Sequence, residues 1–164
     1  MRFVHAAIRW LNIGTAAAAC MVMFLMMLHI TLDVGVRYFF NGQIVGTLEW
    51  VSFYYMVALV FLGLGHVEMK NENIRVDLFA QMMPAKVQLA LYIFACLLGI
   101  AFFGMLLWQS LADAIRATQR GEEAMSNFRF VIWPARWALP IGFAGALLAV
   151  LANLARAIAR RQAL

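Results

Sequence analysis

The chain has 164 residues, of which 65% are hydrophobic and 13% charged, and its formal net charge is +5. Soluble domains carry about 45–50% apolar and about 25% charged residues, and one of this size leaves about a third of its surface in water. These proportions exclude a soluble globular fold, and no segment between the apolar stretches is long enough to build a catalytic domain with a core of its own.

Four charge-free runs, Trp10–Leu32, Trp50–Val67, Val87–Ala112 and Trp137–Ala155, divide the sequence. Each can cross a bilayer, which takes about 20 residues at 1.5 Å rise. The gap between Arg37 and Glu49 is too short for another. The sequence therefore predicts an all-α membrane protein with four transmembrane helices, at about 11–32, 47–66, 87–108 and 137–155, in a single integral membrane domain over residues 1–164.

In the first span Ala17-Ala18-Ala19-Cys20 has the look of a cleavage site, yet the apolar run continues through Met21–Leu32, so the segment reads as an uncleaved anchor. Gly14, Ala17 and Ala18 are small enough to admit a neighbouring backbone. Asp33–Gly46 is expected as an outer connection, a short re-entry into the headgroups with Tyr38-Phe39-Phe40 in the aromatic belt and Asn41-Gly42 at a turn. The second span closes near His66, with Gly63 and Gly65 in its last turn.

The charged stretch Glu68, Lys70, Glu72, Arg75, Asp77 follows in water. Ile74, Leu78, Phe79, Met82 and Met83 then recur at helical spacing, which predicts a short amphipathic interfacial helix at 73–83, between the second and third spans and ended by Pro84. The third span keeps its period through Leu111 and Ile115 to Thr118, projecting beyond the outer interface until Gly121 stops it. Trp133-Pro134-Ala135-Arg136-Trp137 is an aromatic and basic anchor before the fourth span, whose first turn holds Pro140.

Orientation follows from the basic residues. With the N-terminus inside, Arg2, Arg9, Lys70, Arg75, Lys86, Arg156, Arg160 and Arg161 face the cytoplasm, against Arg37, Arg116, Arg120, Arg129 and Arg136 outside. This bias puts both termini in the cytoplasm. Basic residues so dispersed form no nucleic-acid stripe.

Motifs for catalysis, phosphate loops and metal ligation are absent from the sequence, so no enzymatic activity and no cofactor are expected. Cys20 and Cys96 lie in separate spans without redox spacing and read as small packing residues. His29 and His66 fall in opposite leaflets, which disfavours a shared haem and leaves interfacial hydrogen bonding. No ionisable residue stands at mid-depth and no helix is interrupted there, so the chain alone is not expected to transport. Arg37 and Glu49 either form an ion pair at the outer headgroups or each mark the water interface. The connections Asp33–Glu49 and Arg116–Arg136 share that face and either dock a soluble partner or form a solvated rim.

Four motifs occur in order: Val36-Arg37-Tyr38-Phe39-Phe40-Asn41; Gly46-Thr47-Leu48-Glu49, leading into Trp50; Glu72-Asn73-Ile74-Arg75-Val76-Asp77-Leu78 with Met83-Pro84; and Trp133-Pro134 through Trp137-Ala138-Leu139-Pro140-Ile141-Gly142. Together, over most of the chain, they resemble the DctQ family, the small membrane subunit of tripartite ATP-independent periplasmic (TRAP) transporters. The resemblance implies a bacterial inner-membrane subunit paired with a large polytopic subunit, which carries substrate by a sodium-driven elevator motion. It also implies a periplasmic substrate-binding protein that delivers an organic anion.

The small subunit would enlarge the fixed scaffold and help present a docking surface. Arg37, Glu49, Arg75, Asp77, Pro84 and Pro140 are the family-patterned positions, with Trp50 and Trp133 as further partner-interface or structural candidates. Asn73 departs from the pattern, which leads one to expect histidine there. The competing classes are a membrane anchor of a respiratory complex, which needs paired histidines at one depth, and a small self-assembling channel or exporter, which needs a mid-span charge. Substrate identity is not encoded in this subunit.

Overall fold

A computed structural model describes residues 2–70, 83–124 and 129–160. The chain is helical almost throughout, in the order α1 (Arg2–Phe40), α2 (Thr47–Glu49), a π-helical segment (Trp50–Tyr55), α3 (Met56–Lys70), α4 (Ala85–Arg120), strands β1 (Glu123–Ala124) and β2 (Phe130–Val131), α5 (Trp133–Arg136) and α6 (Ala138–Arg160). Among the described residues four stretches are long and apolar enough to cross a membrane: Ala6–Phe40, Thr47–Lys70, Lys86–Arg120 and Trp133–Ala159. The interfacial helix expected at 73–83 lies outside the described residues except for Met83, and Arg75 and Asp77 lie outside them too.

Two helices exceed a bilayer. At 1.5 Å per residue α1 is about 58 Å long and α4 about 54 Å, against about 30 Å of hydrocarbon. The re-entrant connection expected from Asp33 is therefore corrected, since Asp33–Phe40 continue α1. The charges that suggest an end to the span instead support the helix, because Arg37 Nε donates to Asp33 Oδ2 at 2.9 Å one turn back. Gly63 and Gly65 are likewise not in a last turn, as α3 runs on to Lys70.

The projection of α4 and its stop at Gly121 match the sequence. Gly121 takes the left-handed conformation (φ 60°, ψ 48°), its N–H bonds back to Thr118 and that of Glu122 reaches the Ala117 carbonyl at 3.0 Å. This double bond closes the orphan carbonyls of the last turn, and glycine adopts the conformation without a Cβ penalty. Pro84 sits at the N-cap of α4 with extended backbone, where its missing N–H costs nothing.

The last helix is central. Half of its spanning window is buried, against 6% for each of the other three. It packs against α3 and α4, and α1 lies mainly on α3. Helices in lipid gain no hydrophobic drive from meeting, so they close through small residues. In α6 these form the pairs Gly142/Ala146 and Gly145/Ala149, all buried. At Gly142 a Cβ would collide with the carbonyl oxygen of Phe61 and come within 2.9 Å of its Cβ. At Gly65 it would meet Asn12 Oδ1 and stand 2.8 Å from the Gly145 carbonyl carbon. Helices α1, α3 and α6 thus converge where Asn12, fully buried, fills the space that two glycines leave.

Candidate partner surface and the polar ends of the bundle

The functional candidates are distributed over two polar ends and the exposed apolar faces of α1 and α4, which together make up the flank. At the loop end, the connection after α1 is held by Asp33. Its Oδ1 accepts the Ile44 N–H at 2.9 Å while Oδ2 takes Arg37, and Thr47 Oγ1 donates to the Ile44 carbonyl at 3.2 Å. Left-handed Asn41 and Gly46 (φ 49° and 91°) turn the chain around this carboxylate.

Sequence reading takes Asp33 only as a boundary, although it is 5% exposed and organises the turn. Asp33→Ala strands a half-buried N–H and releases Arg37, so it should destabilise the turn by about 1 kcal/mol. Faster hydrogen exchange at the Ile44 amide, largely restored by Asp33→Asn, is the expected result; wild-type protection in Asp33→Ala would remove the role.

Arg37 in the last turn of α1 and Glu49 at the end of α2 line one shallow recess of about 190 Å³ with Gln43, Val45 and Thr47. Arg37 is half-exposed there and already paired with Asp33, while Glu49 closes α2. Trp50 starts the π-helical segment and stacks near Tyr54, with ring centroids 4.9 Å apart. That segment turns the aromatic rings of the second span toward the β1–β2 hairpin, an arrangement periodicity does not reveal.

Phe130 of β2 is buried, its ring 5.4 Å from Trp50, 5.7 Å from Tyr54 and 6.3 Å from Phe53. Tyr54 donates its hydroxyl to the Val131 carbonyl at 2.8 Å. Beside it Arg136 holds Glu122 through both carboxylate oxygens, at 3.1 and 2.6 Å, and the Trp137 indole donates to Thr118 Oγ1 at 3.1 Å. Trp133 opens α5, a separate turn before α6. Pro140 is buried in the first turn of α6, where no intrahelical donor is lost.

At the opposite end, where α1 begins and α6 finishes, Asn153 Nδ2 donates to the Glu68 carbonyl at 2.9 Å and its Oδ1 accepts from Arg156. Asn12 Nδ2 approaches Met69 Sδ at 3.8 Å. Sequence reading weighs charges alone and passes over both asparagines, which carry the polar contacts between helices here.

His29 stands toward the loop end, its Nδ1 3.3 Å from the Tyr55 hydroxyl, and His66 lines a recess at the terminal end. Residues 55 and 66 lie eleven positions apart along one helical span, so the imidazoles are separated by about 16 Å of rise. Both cannot ligate one haem. Cys96 packs inside, but Cys20 is exposed on α1, which corrects its reading as a packing residue within this chain.

The flank is apolar. On α1, Trp10, Met21, Phe24, Met27 and Leu32 are exposed. So are Phe94, Leu98, Phe102, Met105 and Trp108 on α4. Gly14, with nothing within 4 Å of a Cβ position, faces outward with Ala17 and Ala18. The small-residue stripe therefore serves no contact inside this chain's described residues.

Among curated proteins no match to the chain is found. The family model described as "Tripartite ATP-independent periplasmic transporters, DctQ component" matches residues 26–160, which takes in the loop-end turn, the hairpin and all but the beginning of the bundle. The chain therefore belongs to the DctQ family, the small permease component of TRAP transporters, and is a multi-pass membrane protein of a transport system.

Proposed function

We propose that this chain is a scaffold subunit that packs its apolar flank against a large polytopic TRAP subunit and helps dock a periplasmic substrate-binding protein at its loop end. The assembly takes up an organic anion on a sodium gradient in a bacterial inner membrane, with both termini of this chain cytoplasmic. The observation that carries the reading is the exposed flank. A four-helix chain made only to sit in lipid has no need of two helices far longer than the bilayer, with small residues turned away from its own core.

Charges at the helix ends and none at mid-depth fit a partner that supports a transport path without forming one. The loop end, with its anchored turn and hairpin, is a shaped polar surface of the kind that docks a soluble protein.

The test is co-purification of a tagged copy from its native cell in mild detergent. A large polytopic protein recovered in near-equal amount supports the proposal. Recovery alone, or with a flavoprotein or haem protein, points to a channel or a respiratory anchor and overturns it. At the loop end, Arg37→Ala combined with Glu49→Gln should lower uptake several-fold while the chain still folds, because Asp33 keeps its bond from the Ile44 N–H when Arg37 is removed. Uptake and assembly equal to wild type would remove these two charges from docking.

A further inference from the structure

At the terminal end two adjoining recesses open between the start of α1, the end of α3 and the end of α6. One, of about 490 Å³, is lined by Ala6, Arg9, Trp10, Ile13, Met69 and Arg156. The other, of about 300 Å³, shares Arg9, Ile13, Met69 and Arg156 and adds His66 and Lys70. Arg9, Lys70 and Arg156 thus converge, and among the described residues of the two linings none is a carboxylate.

The guanidinium of Arg156 is prepositioned. One of its Nη groups is held by Asn153, itself fixed on the Glu68 carbonyl, and its Nε is buried with no acceptor among the described residues. A buried donor left in this way is suited to an acceptor brought by a ligand.

We propose that this recess holds the phosphate of an anionic phospholipid headgroup. The charge of the lining selects an anion, and guanidinium groups match phosphate oxygens in pairs. The apolar wall selects the lipid over free phosphate. Ala6, Trp10, Ile13 and Met69 line the same opening, Trp10 is 73% exposed, and the apolar residues of α1 continue beyond it along the path an acyl chain would take. Basic recesses between spanning helices at a membrane surface are suited to such headgroups. The recess is lined by residues of this chain alone, and it is tested on the isolated chain, where no partner covers the α1 face.

The experiment is native mass spectrometry of the full chain in detergent, with phosphatidylglycerol, phosphatidylcholine or inorganic phosphate added. Retention of phosphatidylglycerol well above phosphatidylcholine is expected. Arg9→Gln, at an exposed position, should weaken retention about fivefold, and Arg9→Gln with Lys70→Gln about 30-fold. Arg129→Gln, at the opposite end and 89% exposed, should leave it unchanged. Equal retention of the two lipids, an equal loss in Arg129→Gln, or no loss in the double variant overturns the proposal. Displacement of the lipid by millimolar inorganic phosphate also overturns it, in favour of a free-anion site.

Discussion

Gly142→Ala is expected to destabilise the isolated chain by about 3 kcal/mol, at the upper end of overpacking effects. A Cβ at this position meets the backbone of Phe61, with its carbonyl carbon at 2.6 Å and Cβ at 2.9 Å, and backbone cannot rotate aside as a side chain can. Helices α3 and α6 must separate, and the Phe61–Phe143 edge contact, with centroids 5.2 Å apart, is lost with them. Gly65→Ala should act in the same sense, because it displaces Asn12 and presses on Gly145.

Gly104→Ala provides the contrast. No atom lies within 4 Å of its Cβ position, so the lower conformational entropy of the unfolded chain should leave stability equal or raise it by about 0.4–1 kcal/mol. Thermal unfolding of the three variants in one detergent separates these signs. A wild-type midpoint for Gly142→Ala would mean that α3 and α6 do not close at this crossing.

These glycines mark a boundary between what a sequence shows and what it withholds. Lipid as solvent is written in composition, and the four spans are written in the spacing of charges, because desolvating a charge in hydrocarbon is costly wherever it occurs. The stop at Gly121 is legible for a similar reason, since a helix end has local chemistry. Gly65 and Gly142 are different. Their importance depends on Asn12 and Phe61, far away in the chain, and nothing within a helical window singles them out.

The extension of α1 is hidden by an ambiguity of another kind. Asp33 and Arg37 look like the water boundary they mark, yet their four-residue spacing also suits an ion pair along a helix that continues outside the membrane. Among the site candidates, Arg37 and Glu49 are brought to one recess and Trp50 to an aromatic cluster. The polar residues that hold the ends together, Asn12, Asp33, Asn153 and the Glu122–Arg136 pair, acquire their roles only from tertiary partners.

The loop end yields the second large effect. Phe130→Ala should release the β1–β2 hairpin from the bundle while the helices stay folded. Truncating a buried phenylalanine costs about 3–5 kcal/mol where the surroundings cannot collapse. Among the described residues the strands pair at Glu123↔Val131 and Ala124↔Phe130, too short a ladder to hold without docking. A further tether, the Tyr54 hydroxyl on the Val131 carbonyl, contributes about 1 kcal/mol, so Tyr54→Phe should leave the hairpin in place.

The two variants can be read by limited proteolysis in detergent alongside the melting midpoint. Cleavage near the hairpin should rise at least tenfold in Phe130→Ala and little in Tyr54→Phe, with similar midpoints for both. If the hairpin shapes the surface that meets the binding protein, Phe130→Ala also lowers uptake without lowering recovery of the large subunit. Loss of that recovery would place the hairpin in the scaffold contact instead, and unchanged uptake would take it out of docking altogether.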